Sequence, residues 1–525
     1  MLRYSYIRNG NEAHTVNTGG RQRFAHAARA AAKSPFRRQR PAMRHPFFAG
    51  EKTMNRLPIN RTIAAVAVAM AVTAGCTPLF NGAPFPQADQ QTISDQAVCP
   101  DATDTATPIA DLRIIPQDVK SFAGKFQQTI DADTQHRLAQ RFGQQYFAPW
   151  TMAEPLFNVH ATTEKITQLA AGTWYGESRL PVEPARMQSL LDLADWEHFP
   201  SVNQPGTMIK PAFIRILPTN RPFYETPDDV PFDRLQFAEA KPNEPVRILH
   251  TSKDGAWLHI ETSYANGWVD SDAVRLADPS IRNRMINAKQ IVVIRDFAEL
   301  RTPKGTVLPQ PKIGTLYPLV REEQDHWVIN TASAGDDQHA VLVTARISKN
   351  EARRHPMVLD AEAATRIGNE LLKVPYGWGD LYRNRDCSAT TRDFFLAFGI
   401  WLPRNSHRQI NSGPFVPLAG LPAATKENRI RDEALPFRTI LHHQGHIMLY
   451  VGMHDNKPVV LHTVWALRYT PAGCAEKKTV IGRTILSTLE AGKELPLTKG
   501  TLLDRLDGML LLPVVDWPQN NSNQD

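Results

Sequence analysis

One cysteine stands where a thiol is well placed to act as a nucleophile. Cys387 follows Asp386 and precedes the amphipathic run 390–398, which predicts a helix that begins at the cysteine. A helix N-terminus carries partial positive charge and unpaired N–H groups, which favour a thiolate and can bind the oxyanion that forms beside it. Cys387 is therefore the candidate nucleophile, and it needs a base within reach.

Two histidines on neighbouring predicted strands can provide that base. His446 stands at the start of the predicted strand 445–452, and His462 lies in the next one, 459–462. The residues between them, 454–457, predict the turn of a hairpin. Adjacent antiparallel strands can place the two imidazoles side by side, so that the first accepts the thiol proton and the second orients the first. The pattern predicts a Cys-His-His site.

These residues and their flanks resemble the NlpC/P60 family of cell-wall cysteine peptidases. The Tyr-x-Trp-Gly motif of that family matches 376–379, and its Asp-Cys-Ser motif matches 386–388; a histidine at the head of a strand and a polar residue on the next strand follow. The resemblance covers about 360–515 and implies a papain-like α+β domain over 350–515. It also implies that the thiol and imidazoles act without a metal or other cofactor.

Two departures from the family pattern adjoin the nucleophile. Asp380 stands where a second glycine often follows Trp-Gly, and Ala389 replaces the glycine that often follows Asp-Cys-Ser. Alanine is small and compatible with a helix. The loss of a glycine at 380 indicates a different turn and a different floor for the substrate.

The resemblance also assigns substrate contacts. Tyr376 would border the nucleophile and help to stabilise the oxyanion, although a packed loop aromatic explains it almost as well. Asp386 and Ser388 would contact the amine and backbone at the N-terminal end of the substrate, and Asp386 would also be a good helix N-cap. Arg404, in a Leu-Pro-Arg segment on one cleft wall, is interpreted as a solvated loop arginine rather than a carboxylate-binding residue.

The positive charge of the chain is concentrated near its N-terminus. The 525 residues carry a formal net charge of +7, but residues 1–53 hold eleven Lys and Arg against two Glu. With Arg56 and Arg61 also removed, residues 76–525 are left at about −4. The charge therefore does not indicate a nucleic-acid partner.

Residues 54–75 have the features of a signal peptide. A basic stretch from Met54 precedes the apolar run 63–72, which is too short to span a bilayer comfortably. The run leads into Thr-Ala-Gly-Cys, which resembles the lipobox of bacterial lipoproteins and predicts lipid attachment at Cys76. Ordinary secretion and a short buried helix are the alternatives. Residues 1–53 are interpreted as an upstream extension with translation starting at Met54; an arginine-rich transit peptide is the alternative.

The four cysteines have separate expected roles. Cys76 carries lipid and Cys387 is the nucleophile, so only Cys99 and Cys474 remain to pair. An oxidising compartment would permit that bridge. The unpaired alternative is favoured, because Cys99 lies in a segment without predicted structure.

The chain between the anchor and the catalytic domain changes composition twice. Residues 76–111 are rich in Pro, Gln, Asp, Thr and Ala and predict a flexible tether. Residues 112–203 place apolar residues at intervals of three and four, over 131–148 and 187–196, and predict a helical region. The resemblance implies that this region packs against the later domains as a stabilising element.

Short strand patterns separated by turns follow over 204–280. The sequences 254–257 (Asp-Gly-Ala-Trp) and 267–269 (Gly-Trp-Val) resemble a bacterial SH3 (SH3b) domain, a small β-barrel. A second, more divergent copy is predicted over 285–348. Trp268 lies in a strand with an alternating pattern and is predicted to be a core residue. In relatives with this layout the first barrel closes one end of the peptidase cleft, although both barrels could be spacers.

Three other functions can be compared with the peptidase. Zinc could bind His442, His443 and His446, but no helical His-Glu-x-x-His motif is present. A peptidoglycan-binding lipoprotein without activity would not need the three candidate residues. A thiol amidase or acyltransferase would use the same fold and differ in its product.

The sequence thus predicts a multidomain α+β protein: a helical segment, two SH3b barrels and a papain-like NlpC/P60 domain. The predicted function is cleavage of peptidoglycan stem peptides or muropeptides by Cys387, His446 and His462. The favoured bond joins γ-D-glutamate to the diamino acid in peptides with a free N-terminal L-Ala. The enzyme is expected in the cell envelope, anchored to a membrane through lipid on Cys76.

Overall fold

The computed structural model describes residues 109–513, except 125, 127–129, 159–165, 167, 168, 170 and 336. The predicted upstream extension, signal peptide, lipid site and Cys99 lie outside the described residues. Cys474 is disulfide-bonded, so the favoured unpaired alternative is wrong for this cysteine. No helix within the described ranges is long and apolar enough to cross a membrane.

Helices form the N-terminal region, as the apolar spacing predicts. The longest begins after Asp131, whose side chain accepts a hydrogen bond from the Thr134 N–H, and its Leu138, Phe142 and Tyr146 are buried. The described α-helices here are Asp111–Ile114, Lys120–Ala123, Ala132–Tyr146, Ala148–Thr151 and Pro184–Ala194.

An antiparallel sheet follows, with strand order β3-β2-β6-β5-β4-β1-β7. The sequence patterns at 213–217, 245–250, 256–260 and 266–269, which are typical of strands, each coincide with one of its strands. Trp268 is fully buried, as predicted, and meets Trp196 and His259 edge to face. The strands are Gln204–Met208 (β1), Ala212–Arg215 (β2), Gln236–Ala240 (β3), Pro245–Thr251 (β4), Trp257–Glu261 (β5), Asn266–Asp270 (β6) and Val274–Leu276 (β7).

The helix Pro279–Asn287 connects this sheet to a second antiparallel sheet, of order β11-β10-β9-β8-β12. This sheet does not end at 348, as the predicted second barrel does, because residues 352–355 pair with β8. The strands are Gln290–Val293 (β8), Leu316–Glu322 (β9), His326–Ala334 (β10), Ala340–Ser348 (β11) and Ala352–His355 (β12).

The C-terminal domain combines helices with a six-stranded sheet of order β13-β18-β14-β15-β16-β17. Its predicted hairpin is present: Asp455 and Asn456 connect β15 to β16 with φ of +45° and +61°, as a two-residue turn requires. The strands are Phe415–Pro417 (β13), Thr439–His443 (β14), His446–His454 (β15), Lys457–Tyr469 (β16), Lys477–Thr488 (β17) and Gly508–Leu511 (β18). The α-helices are Ala361–Leu371, Cys387–Leu396, Ser406–Ile410, Ala423–Glu433 and Leu502–Arg505.

The N-terminal region packs directly on the catalytic domain. Asp111 accepts hydrogen bonds from the backbone and hydroxyl of Thr488, and Ile109 is buried. The predicted end of the tether at residue 111 is therefore wrong, because its last residues are already part of the packed structure. Phe142 of the long helix shares one hydrophobic core with Phe394 of the catalytic domain.

Gly368 marks a close approach between these two regions. A Cβ at this helical glycine would lie 2.8 Å from a methyl of the buried Val119. By contrast, Gly143 is also helical but has open space around the position of a Cβ.

We predict that alanine has opposite effects at these two glycines. Gly143→Ala should raise the free energy of unfolding by up to about 1 kcal/mol, because alanine is the better helix former. Gly368→Ala should lower it by roughly 1 kcal/mol, since overpacking against a stiff valine exceeds that gain. Chemical denaturation of both variants measures the difference; a Gly368→Ala protein more stable than the parent would contradict the close packing.

Candidate active site

The candidate nucleophile begins a helix, as predicted. Cys387 is the first residue of Cys387–Leu396, and Asp386 caps the helix by accepting a hydrogen bond of 2.9 Å from the Ala389 N–H. Burial raises the pKa of the Cys387 thiol to about 12, and the charge of Asp386 adds to that effect. A hydrogen bond with the Ile447 backbone opposes it. The resting cysteine is therefore a thiol, and the expected preference for a thiolate at the helix N-terminus is wrong because burial outweighs it.

The two candidate histidines lie side by side on β15 and β16. His446 Nε2 and His462 Nδ1 are 2.8 Å apart, and the rings cross at 70°. Burial, together with the neighbouring His462, lowers the pKa of His446 well below its usual value. Burial also lowers the pKa of His462 to about 3. Both rings are therefore neutral at physiological pH, and a neutral imidazole can accept a proton.

The structure brings the nucleophile to the start of the histidine strand. The Cys387 thiol meets the Ile447 backbone, one residue after His446. The helix Cys387–Leu396 packs across β15 and β16. Cys387 thus lies next to the strand that begins at His446, and His446 in turn contacts His462.

Arg404 is buried beside the nucleophile, so its interpretation as a solvated loop arginine was wrong. Its side chain is 3% exposed. Two nitrogens donate to the two Asp386 oxygens at 3.0 and 2.7 Å, and one also donates to Ser388 Oγ at 2.9 Å. Burial raises the pKa of Asp386, but Arg404 and local hydrogen bonds outweigh it and hold that pKa below its usual range. A buried carboxylate needs such a partner.

Asp380 explains the departure from the family motif. It lies in the turn Trp378–Arg383 with φ of +66°, a conformation that aspartate tolerates better than most residues. Its carboxylate accepts the Glu239 N–H at 3.1 Å and lies 3.3 Å from Arg404. Burial raises its pKa, and Arg404 opposes the change. The extra carboxylate therefore connects the first sheet to the wall of the site.

Further buried ion pairs join the catalytic domain to both preceding sheets. Arg385 contacts Asp393 on the nucleophile helix and binds Asp296 from the second sheet region with both terminal nitrogens. We define the charge cluster as the buried or partly buried side chains of Glu239, Lys241, Asp296, Lys312, Asp380, Arg383, Arg385, Asp386, Arg392, Asp393 and Arg404. Most of its members carry no sequence signal, because their partners are distant in the chain.

Aromatic side chains form another wall of the candidate active site. Tyr376 lies with its ring centre 6.2 Å from that of Phe232 and 5.7 Å from that of Trp465. Phe232 also meets Trp378 edge to face at 5.3 Å. Burial raises the pKa of Tyr376 far above its usual value, so its phenol stays protonated. The sequence identified Tyr376 but gave no signal for Phe232 or Trp465.

The histidines considered for zinc have other partners. His442 Nδ1 lies 2.7 Å from Asp507, and His443 Nδ1 lies 3.0 Å from the Gln444 carbonyl. Among the residues that the structure describes, no group of three or more His, Cys, Asp or Glu is arranged to hold a metal ion.

Comparison with protein families identifies three segments. The NLPC_P60 N-terminal stabilising domain matches 67–199, the SH3 domain of SH3b1 type matches 222–270, and the NlpC/P60 family matches 373–464. The SH3 match falls on the first sheet. The assignment of the second sheet as an SH3b barrel stays a prediction.

The fold is shared with a solved structure at low sequence identity. An NlpC/P60 endopeptidase from Photobacterium damselae subsp. piscicida has a TM-score of 0.69 and 20% identity, with coverage of 78% of this chain and 98% of that chain. An NlpC/P60 family protein from Bacillus cereus ATCC 10987 has a TM-score of 0.41 and 15% identity, with coverage of 59% and 100%. No curated protein sequence matches the chain.

The three segments follow one another along the chain, and the NlpC/P60 match includes Cys387, His446 and His462. The multidomain α+β fold expected from the sequence is confirmed. The chain is a cysteine peptidase that carries an NlpC/P60 domain, preceded by the stabilising domain of that family and an SH3b domain.

Proposed function

We propose that this peptidoglycan hydrolase cleaves the bond between γ-D-glutamate and the diamino acid of stem peptides. His446 accepts the thiol proton of Cys387, and the sulfur attacks the carbonyl carbon. The tetrahedral intermediate collapses to a thioester as His446 gives the proton to the leaving amine. Water, deprotonated by the same ring, then releases the acid and restores the thiol. His462 holds the ring of His446 in place throughout.

The oxyanion of each intermediate needs hydrogen-bond donors. The first turn of Cys387–Leu396 offers backbone N–H groups next to the thiol, that of Ser388 among them, and the positive end of the helix dipole. Tyr376 keeps its phenol protonated and is proposed as an additional donor.

The SH3b sheet contacts the turn Trp378–Arg383, which forms one wall of the site. This contact is the main support for the proposal that the substrate has a short N-terminal end. Strand β3 packs on the turn Trp378–Arg383, where Gln236 Nε2 donates to the Gly379 carbonyl at 2.6 Å. A Cβ at Gly379 would lie 2.7 Å from the Gln236 carbonyl oxygen. Asp386 adjoins this turn, because its carboxylate accepts the Gly379 N–H at 3.1 Å. A barrel packed this closely would close the cleft next to Asp386.

Asp386 is suited to bind a free ammonium. Its pKa lies below the usual range, so the carboxylate is ionised. Its oxygens already accept hydrogen bonds from Ser388, Ala389 and Arg404, which fix the orientation of the group. An ammonium of L-Ala would pair with this fixed charge, which favours peptides already released from glycan.

We predict strong dependence on the free amine of the substrate. L-Ala-γ-D-Glu-diaminopimelate should be cleaved, whereas its N-acetylated form should lose about tenfold to a hundredfold in kcat/KM, since one charged hydrogen bond contributes about 1.5–3 kcal/mol. Mass spectrometry of the products measures both. Cys387→Ala, with an unchanged melting temperature, is the inactive control. Cleavage of intact sacculi but not of the free tripeptide would contradict the closed cleft.

The pH dependence follows from the depressed pKa of His446. A base whose pKa lies below 6.5 stays unprotonated as the pH falls through 6.5. The acid limb of kcat/KM should therefore lie well below that pH, and it should be measured with melting curves at each pH as the control for unfolding. An acid limb at or above 6.5 would show that His446 is not held neutral by burial.

The enzyme is further proposed to be lipid-anchored in the cell envelope through Cys76, on the sequence features of 54–76. We predict that the native protein begins at Cys76 and incorporates labelled palmitate. Intact mass and labelling of the purified protein measure this, with Cys76→Ser as the unlabelled control. A mature chain that retains residues 1–53 would reject both the anchor and the start at Met54.

A further inference from the structure

A buried serine stands next to the histidine pair. Ser487 is fully buried on β17, and its Oγ lies 3.0 Å from His462 Nε2. The same hydroxyl lies 2.9 Å from the carbonyl oxygen of Thr488. No sequence motif points to this residue, and its position follows from the pairing of β16 with β17.

The two contacts of Ser487 fix which group donates in each hydrogen bond of the histidine pair, His446 and His462. A carbonyl oxygen only accepts, so the single hydroxyl proton of Ser487 points to Thr488. Toward His462 the serine must then accept, which places the proton of the neutral ring on Nε2. His462 Nδ1 consequently accepts from His446 Nε2–H across 2.8 Å. The other nitrogen of His446, Nδ1, is left with a free lone pair.

The N-terminal region holds the strand on both sides of Ser487. Among the residues that the structure describes, β17 is the edge of its sheet, and no further strand pairs with its outer side at Leu486. Gln117 replaces one: its amide accepts from the Leu486 N–H at 3.0 Å and donates to the Leu486 carbonyl at 2.7 Å. Asp111 binds the backbone N–H and the hydroxyl of Thr488 at 2.6 and 2.7 Å. These contacts fix the carbonyl that directs the serine proton.

We propose that Ser487 is a positioning residue that sets the tautomer of His446, and that Asp111 and Gln117 of the N-terminal region maintain it. The chain of contacts runs from Asp111 through Thr488, Ser487 and His462 to the base. It leaves Nδ1 of His446 as the acceptor for the thiol proton. The N-terminal region therefore contributes to catalysis as well as to stability. The inference rests on the proposed roles of His446 and His462.

The direct test is nuclear magnetic resonance of protein with nitrogen-15 histidine. In the full-length protein, His446 and His462 should both carry their proton on Nε2. Ser487→Ala removes the acceptor and should produce a mixture of tautomers at both rings. This measurement needs no substrate, so it stays informative even if the enzyme cleaves a different bond.

Kinetics separate a positioning role from a structural one. Ser487→Ala should lower kcat by about tenfold or more with little change in KM, because a base in the wrong tautomer is inactive while the binding site is intact. Thr484→Val is the matched control: it removes another buried hydroxyl of β17, one bonded to Thr463 and not to a histidine. It should change the melting temperature and leave the tautomers unchanged.

A double-mutant cycle completes the test. The side-chain carbonyl in His462→Gln can accept from His446 without help from a serine, so Ser487→Ala should have much less effect on kcat in that background than in the parent. Asp111→Ala should shift the tautomers in the same direction as Ser487→Ala, to a smaller extent. Unchanged nitrogen-15 spectra in Ser487→Ala, or full additivity in the cycle, would overturn the proposal.

Discussion

The buried ion pair between Arg404 and Asp386 is the interaction on which the site depends. Asp386 caps the nucleophile helix, holds the Gly379 N–H of the neighbouring turn and orients Ser388. Two carboxylate oxygens perform these functions only because the guanidinium compensates their charge in a buried position. Loss of one partner of such a pair typically costs about 3–5 kcal/mol, since it leaves an unpaired buried charge.

The charge cluster extends this constraint to the preceding sheets. Lys241 pairs with Asp393 of the nucleophile helix, and Lys312 pairs with Glu239. Buried pairs add little net stability over apolar residues of the same shape, but each fixes one arrangement, because any other leaves charges unpaired. The sheets are thus held in one position against the peptidase, which a cleft closed at one end requires. Asp380, unusual for the motif, takes part in this connection.

The chemistry of the site also depends on burial, which excludes water from the reacting groups. Burial keeps Cys387 a thiol and His446 neutral until the proton is transferred. In such a site the direction of each hydrogen bond decides which ring nitrogen of His446 can accept a proton. The two neutral histidines therefore need a fixed tautomer. Ser487 meets that need from a strand that the N-terminal region borders.

The sequence by itself determined the local features of this protein. These features depend on periodicity and turn residues within a few positions, and all are present in the structure. They are the cap at Asp386, the helix that begins at Cys387, the hairpin between His446 and His462 and the strands around Trp268. Only the tertiary structure decided that Arg404 is buried, that Asp380 meets the SH3b sheet and that Asp111 reaches Thr488, 377 residues away. Sequence patterns report which side of an element is apolar. They do not report which distant charges meet, because that follows from how complete elements pack.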